Sequence, residues 1–155
     1  MEVLTSSKDE TTIFGQEVGK SLKGSEVILL NGDLGSGKTA FVQGVAKGLG
    51  ISKHVTSPTF VIMKKYKVRG NENDIKKFVH IDTYRGLDIG ELADSGALED
   101  FGDKKTVVLV EWGVGLGHYL KTHNIKFYTF KIDALSRHKR RIMIDENFEL
   151  KSKFF

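Results

Sequence analysis

The chain has 155 residues, 39% hydrophobic and 28% charged, a balance that suits a globular domain burying roughly 70% of the surface its unfolded chain exposes. No apolar run reaches 18 residues, which excludes a membrane-spanning helix, and the opening Met1-Glu2-Val3-Leu4-Thr5 carries no signal-peptide pattern. The absence of cysteine excludes disulfides and thiolate metal sites and fits a cytoplasmic location.

Net charge is +4, and it gathers late, with nine Lys/Arg against four acids in residues 121–155. Such a basic end can face RNA or an acidic protein surface. It can equally be a solvated face of edge strands whose lysines block edge pairing.

In chain order, Ser7-Lys8-Asp9-Glu10 reads as a capping box. The helical spacing of Ile13, Phe14, Val18 and Leu22 then predicts a helix, with Gly24 as its stop. Glu26 to Asn31 reads as a buried strand. A glycine-rich loop follows, and then a helical stripe of Phe41, Val42, Val45, Ala46 and Leu49 ending at Gly50. Gly44 and Gly48 fall on one helix face, where another backbone can pack closely.

Thr59 to Val68 and Ile75 to Ile81 read as strands joined by the polar turn at 70–74. Asp88 to Phe101 is a mostly helical acidic segment, and Thr106 to Val110 has the apolar run of a strand buried on both faces. A short helix around His118 to Lys121 precedes two closing strands, Ile125 to Asp133 and Arg140 to Asp145. No repeat or linker interrupts residues 1–155. The expectation is one α/β P-loop domain, a central mixed sheet of parallel and antiparallel strands flanked by helices.

Gly32-Asp33-Leu34-Gly35-Ser36-Gly37-Lys38-Thr39 satisfies G-x-x-x-x-G-K-[ST] between a predicted strand and a predicted helix. Glycines let main-chain N–H groups turn inward around phosphate oxygens, and the helix start adds unpaired donors and a positive dipole end. Gly35, Ser36, Gly37, Lys38, Thr39 and Ala40 are thus the expected nucleotide contacts, with Lys38 on the β- and γ-phosphates and Thr39 on Mg²⁺.

Such a site needs an acid at the end of a neighbouring strand. Glu111 and Asp82 each close an apolar run, and either can order metal or water beside the γ-phosphate; either can instead cap the next helix. Neither D-x-x-G nor [NT]-K-x-D occurs, which favours ATP over GTP. The histidines form no metal-like pair, and His80 is expected to pack or make one hydrogen bond.

The P-loop, then Ser57-Pro58-Thr59-Phe60, then His80-Ile81-Asp82-Thr83-Tyr84-Arg85, then Glu111-Trp112 resemble the TsaE (YjeE) family in order and spacing. The resemblance implies an ATPase of bacterial tRNA threonylcarbamoyladenosine synthesis. Such a protein binds ATP and Mg²⁺, hydrolyses slowly alone and works with TsaB and TsaD, meeting tRNA only through that complex.

By the same resemblance, Thr39 and Glu111 hold Mg²⁺ and Asp82 serves hydrolysis. Ser57, Pro58, Thr59 and Phe60 form a switch-like loop, with Tyr84 and Arg85 beside it. Trp112 lies near the nucleotide or a partner surface, unless it is a packed core indole. Ser7, Thr11 and Arg137 approach the adenine, although capping accounts for Ser7 and solvation for Arg137. Pro58 is either a hinge edge or a simple strand-entry proline. Ser36 replaces the family's usual alanine, and Gly113-Val114-Gly115 replaces its usual proline or acid.

Two other classes compete. A small P-loop kinase would need lid arginines, yet only Arg69 and Arg85 precede residue 137. A nucleotide-gated binding module would need no turnover at all.

Overall fold

The computed structural model describes residues 1–52, 55, 63–83 and 89–152. In chain order these form β1 (Glu2–Thr5), α1 (Lys8–Ser21), β2 (Val27–Asn31), α2 (Lys38–Gly48), β3 (Met63–Lys67), β4 (Lys77–Asp82), α3 (Ile89–Ser95), β5 (Thr106–Glu111), α4 (Gly117–Thr122), β6 (Phe127–Ala134) and β7 (Arg140–Met143). Single 3₁₀ turns at Ala97–Glu99 and Gly113–Leu116 complete the set.

All strands join one sheet in the order β1-β7-β6-β2-β5-β4-β3. The central four, β6, β2, β5 and β4, run parallel, and antiparallel pairs flank them on both sides. The expected mixed α/β sheet is therefore present. Burial follows from position: β2 and β5 lie between two parallel neighbours and under helices on both faces, so their apolar runs are buried.

One face of the sheet packs Ile28, Leu30, Phe130 and Ile132 against Phe14, Val18, Phe41 and Val45 of α1 and α2. The other packs Val27, Leu29, Val79, Val108 and Val110 against Leu92, Ala97, Leu116 and Leu120. Phe14, Phe41 and Phe130 form a fully buried run with tilted rings 6.2 and 6.0 Å apart. Each such ring contributes about 1.5–3 kcal/mol through burial.

The capping box forms as read. Glu10 N donates to Ser7 Oγ at 3.1 Å, while the Glu10 carboxylate reaches one residue further back and accepts from Ser6 N at 2.6 Å. The predicted close approach at Gly44 and Gly48 is also present, and its other half is Gly15 and Gly19 on α1. A Cβ on Gly44 would land on the Thr12 carbonyl, and one on Gly48 would lie 2.9 Å from Gly19 Cα. Ile13, expected on the buried stripe, is 38% exposed, because the inward face of α1 belongs to the glycines and to Phe14 and Val18.

The acidic segment is mostly helical as expected, with α3 at Ile89–Ser95 and the 3₁₀ turn at Ala97–Glu99 separated where Gly96 adopts φ +80°. A first strand not foreseen, β1, pairs with β7. The C-terminal strands are consequently interior to the sheet, and among the described residues the lysine-bearing edge is β3, with Lys64, Lys65 and Lys67. No described helix is long and apolar enough to cross a membrane.

Candidate functional site

Ligands of open α/β sheets gather outside the carboxyl ends of parallel strands, and here those ends carry the sequence-predicted residues. Beyond β2, Gly32 starts the loop that feeds α2. Leu30 is in register with Glu111, the last residue of β5, and Glu111 is in register with Asp82, the last residue of β4. The P-loop and both acids are thereby set side by side on neighbouring strands.

Two glycines make the loop possible. Gly35 adopts φ +78° and Gly37 φ +102°, a region in which side chains are strained. Gly37 is also the N-cap of α2, and no side chain caps that end. The first turn of α2 therefore opens toward an incoming anion. Thr39, in that turn, is exposed, as a metal-ligating hydroxyl needs to be; Ala40 is buried.

Lys38 is buried at the mouth of this loop. Its ammonium donates to the carbonyls of Gly32 at 2.5 Å and Asp33 at 2.9 Å, and it sits 4.4 Å from the centroid of the Trp112 ring. Burial pushes the ammonium below the usual lysine range, and Glu111, Asp82 and Asp33 act against that shift. An anion arriving here meets a cation already desolvated.

Glu111 is fixed from β4. Its Oε2 lies 2.6 Å from His80 Nε2, with both side chains almost wholly buried. Its carbonyl accepts from Thr83 N at 3.1 Å and from Thr83 Oγ1 at 2.9 Å. The same hydroxyl lies 2.9 Å from the Trp112 carbonyl. Trp112 itself adopts φ +63°, a conformation that costs a bulky residue about 1–3 kcal/mol. Strain of this kind persists where surrounding structure over-determines it, and Thr83, Lys38 and the bond from Trp112 N to Leu30 O at 2.9 Å supply that. Trp112 is half-buried beside Lys38 and is not a core indole.

Ser7 caps α1, and Thr11 is buried with its hydroxyl 2.7 Å from that of Thr5, a residue in register with Arg140. Arg137 is exposed in the β6–β7 turn. The arginine that does reach the loop is Arg140, which the sequence reading missed: its Nη2 lies 3.4 Å from the Gly35 carbonyl, and its Nε would be 3.2 Å from a Cβ on Gly37. Ser57, Pro58, Thr59, Phe60, Tyr84 and Arg85 lie outside the described residues.

A phosphate-bearing ligand fits the residues present. Ser36 Oγ and Asn31 Oδ1 are buried without hydrogen-bond partners, polar atoms left over at the loop. Among the described residues no group of three or more His, Cys, Asp or Glu side chains can hold a metal alone.

Comparison with known proteins agrees with this arrangement. Residues 5–142 match the family model described as "Threonylcarbamoyl adenosine biosynthesis protein TsaE". A tRNA threonylcarbamoyladenosine biosynthesis protein TsaE from Treponema pallidum is 32% identical over 145 residues, covering 93% of this chain and 99% of that protein. The protein of the same description from Streptomyces coelicolor is 34% identical over 134 residues, 84% of this chain and 76% of its own. The crystal structure of Bacillus subtilis YdiB superposes with a TM-score of 0.66 at 28% identity, covering 93% of this chain and 83% of that one. Motif order, sheet topology and these likenesses agree, and the chain belongs to the TsaE family of tRNA threonylcarbamoyladenosine biosynthesis proteins.

Proposed function

We propose that residues 1–155 act as one ATPase domain that binds Mg²⁺-ATP at residues 32–40, hydrolyses it slowly, and works with TsaB and TsaD in the cytoplasm. In this reading the chain does not transfer the threonylcarbamoyl group, and it meets tRNA only through that complex. The observation that carries the reading is the alignment of Leu30, Glu111 and Asp82 across three parallel strands, directly beside Lys38.

In this reading the amides from Gly35 to Ala40 and the Lys38 ammonium hold the phosphates, while Thr39 and Glu111 hold Mg²⁺. Mg²⁺ supplies charge neutralisation at the β- and γ-phosphate oxygens. Asp82 orients the attacking water from the end of β4. The described residues offer the catalytic set little more than these acids, which favours stimulation by a partner that completes it.

Phosphate release, measured with the chain alone and with purified TsaB and TsaD, tests the proposal. Stimulated release supports it, and equal rates count against the partner role. Nucleotide-dependent capture of TsaB and TsaD with no turnover under any condition would instead identify a nucleotide-gated binding module. Phosphorylation of a small-molecule acceptor would identify a kinase.

A further inference from the structure

Next to the acids lies a side chain to which no role in the chemistry has been given. His80 stands opposite Leu109 in the β4–β5 register, and Glu111 is two residues further along β5 on the same face. The imidazole therefore reaches diagonally to the carboxylate, with Nε2 2.6 Å from Oε2. A carboxylate oxygen accepts, so Nε2 is the donor of this contact. Nδ1 is buried with no partner.

A residue present only to fill the core would be better served by an apolar ring. His80 already stacks on Phe78, with centroids 6.5 Å apart and planes at 10°, and a phenyl group would keep that packing without an orphaned nitrogen. What the imidazole adds is the single donor aimed at Glu111.

We infer that His80 is the positioning residue of Glu111, holding Oε2 so that the other carboxylate oxygen is presented to the cation shared with Thr39. The inference rests on the proposed reading of Glu111 as a Mg²⁺ ligand and adds the group that orients it. Thr83 fixes the main chain of Glu111 and His80 fixes its side chain, so the carboxylate enters the site in one rotamer. Such outer partners of metal ligands typically alter metal affinity or activity by about 10–100-fold. The effect is expected on Mg²⁺ more than on the phosphate grip, because the donor of His80 is aimed at Glu111.

The test uses the full chain and its single tryptophan, Trp112, as the reporter. Mg²⁺ is titrated into protein saturated with ATP, and ATP affinity is measured separately in excess chelator. His80→Phe, which keeps the stack and removes the donor, is expected to raise the Mg²⁺ midpoint about tenfold or more. Its ATP affinity in chelator should stay within about twofold of the parent. His80→Gln, whose amide can donate from a similar reach, is expected to recover most of the loss.

A folded His80→Phe protein with the parent's Mg²⁺ midpoint overturns the inference. So does a Gln variant as impaired as the Phe variant. If His80→Phe does not fold, His80→Asn replaces it: its amide is too short to reach Glu111, and an Asn variant equal to Gln overturns the inference as well. Failure of the parent itself to respond to Mg²⁺ and ATP would overturn the reading of the site, and this inference with it.

Discussion

The Lys38 ammonium is shared between the Trp112 ring, 4.4 Å from its centroid, and the carbonyls of Gly32 and Asp33. A phosphate that takes the ammonium must draw it away from at least one of these. Mg²⁺-ATP is therefore expected to change Trp112 fluorescence. Lys38→Ala should weaken ATP binding by about 10–100-fold, the loss of one or two charge-assisted hydrogen bonds. Unchanged affinity in Lys38→Ala, measured by calorimetry, would remove the phosphate assignment.

Glu111 and Asp82 are predicted to separate binding from turnover. Both stand at strand ends beside the loop and outside its amide cradle. Asp82→Asn and Glu111→Gln should retain ATP affinity within a few-fold while phosphate release falls by about 100-fold or more. The comparison is single-turnover release at saturating Mg²⁺. A variant that lost binding and turnover equally would belong to the phosphate grip instead.

The contact between α1 and α2 makes a prediction about stability. Gly15, Gly19, Gly44 and Gly48 bring the two helix backbones together, and a Cβ on Gly44 would meet both the Thr12 carbonyl and Gly15 Cα. Helix propensity alone would make Gly44→Ala stabilising by up to about 1 kcal/mol. The steric cost should win, giving a net loss of about 1–3 kcal/mol or more as α2 is pushed off α1. Urea unfolding of the variant measures the sign. A stabilised Gly44→Ala protein would mean that the helices separate at little cost.

Much of this was legible in the residues, and the exceptions have physical causes. The P-loop, the acids closing β4 and β5 and the glycine face of α2 are local patterns with fixed spacing. Each was read directly. Strand β1 has only four residues, Glu-Val-Leu-Thr, and is a strand because β7 offers it an edge 135 or more positions away, a relation no local pattern carries. Arg140 was not legible as a loop contact, because only the closing of the β6–β7 turn brings it there. The turn points Arg137 to solvent and returns Arg140 to the loop at Gly35. The role of His80 was invisible for a related reason, since its diagonal contact with Glu111 exists only once β4 and β5 pair in register.

A pH dependence of stability follows from Asp100, buried just after the 3₁₀ turn at Ala97–Glu99. Lys65 of β3 lies 2.8 Å from Oδ2 and Lys77 of β4 lies 2.6 Å from Oδ1, so one carboxylate ties this segment to the hairpin at the sheet edge. Burial pushes the carboxyl up, but the two ammonium groups outweigh it and hold Asp100 below the usual aspartate range. A carboxyl whose folded value is depressed stabilises the fold fully above its unfolded value, about 3.9, and loses that contribution as pH falls through the folded value. Asp100→Asn should therefore be less stable than the parent at neutral pH, and the gap should close below about pH 4. Because both lysines are partly exposed, added salt should narrow the neutral-pH gap as well. Urea midpoints of the two proteins at neutral and acidic pH provide the measurement. A gap that stayed constant down the pH range would mean that packing at this position, and not the charge of Asp100, holds the segment to β3 and β4.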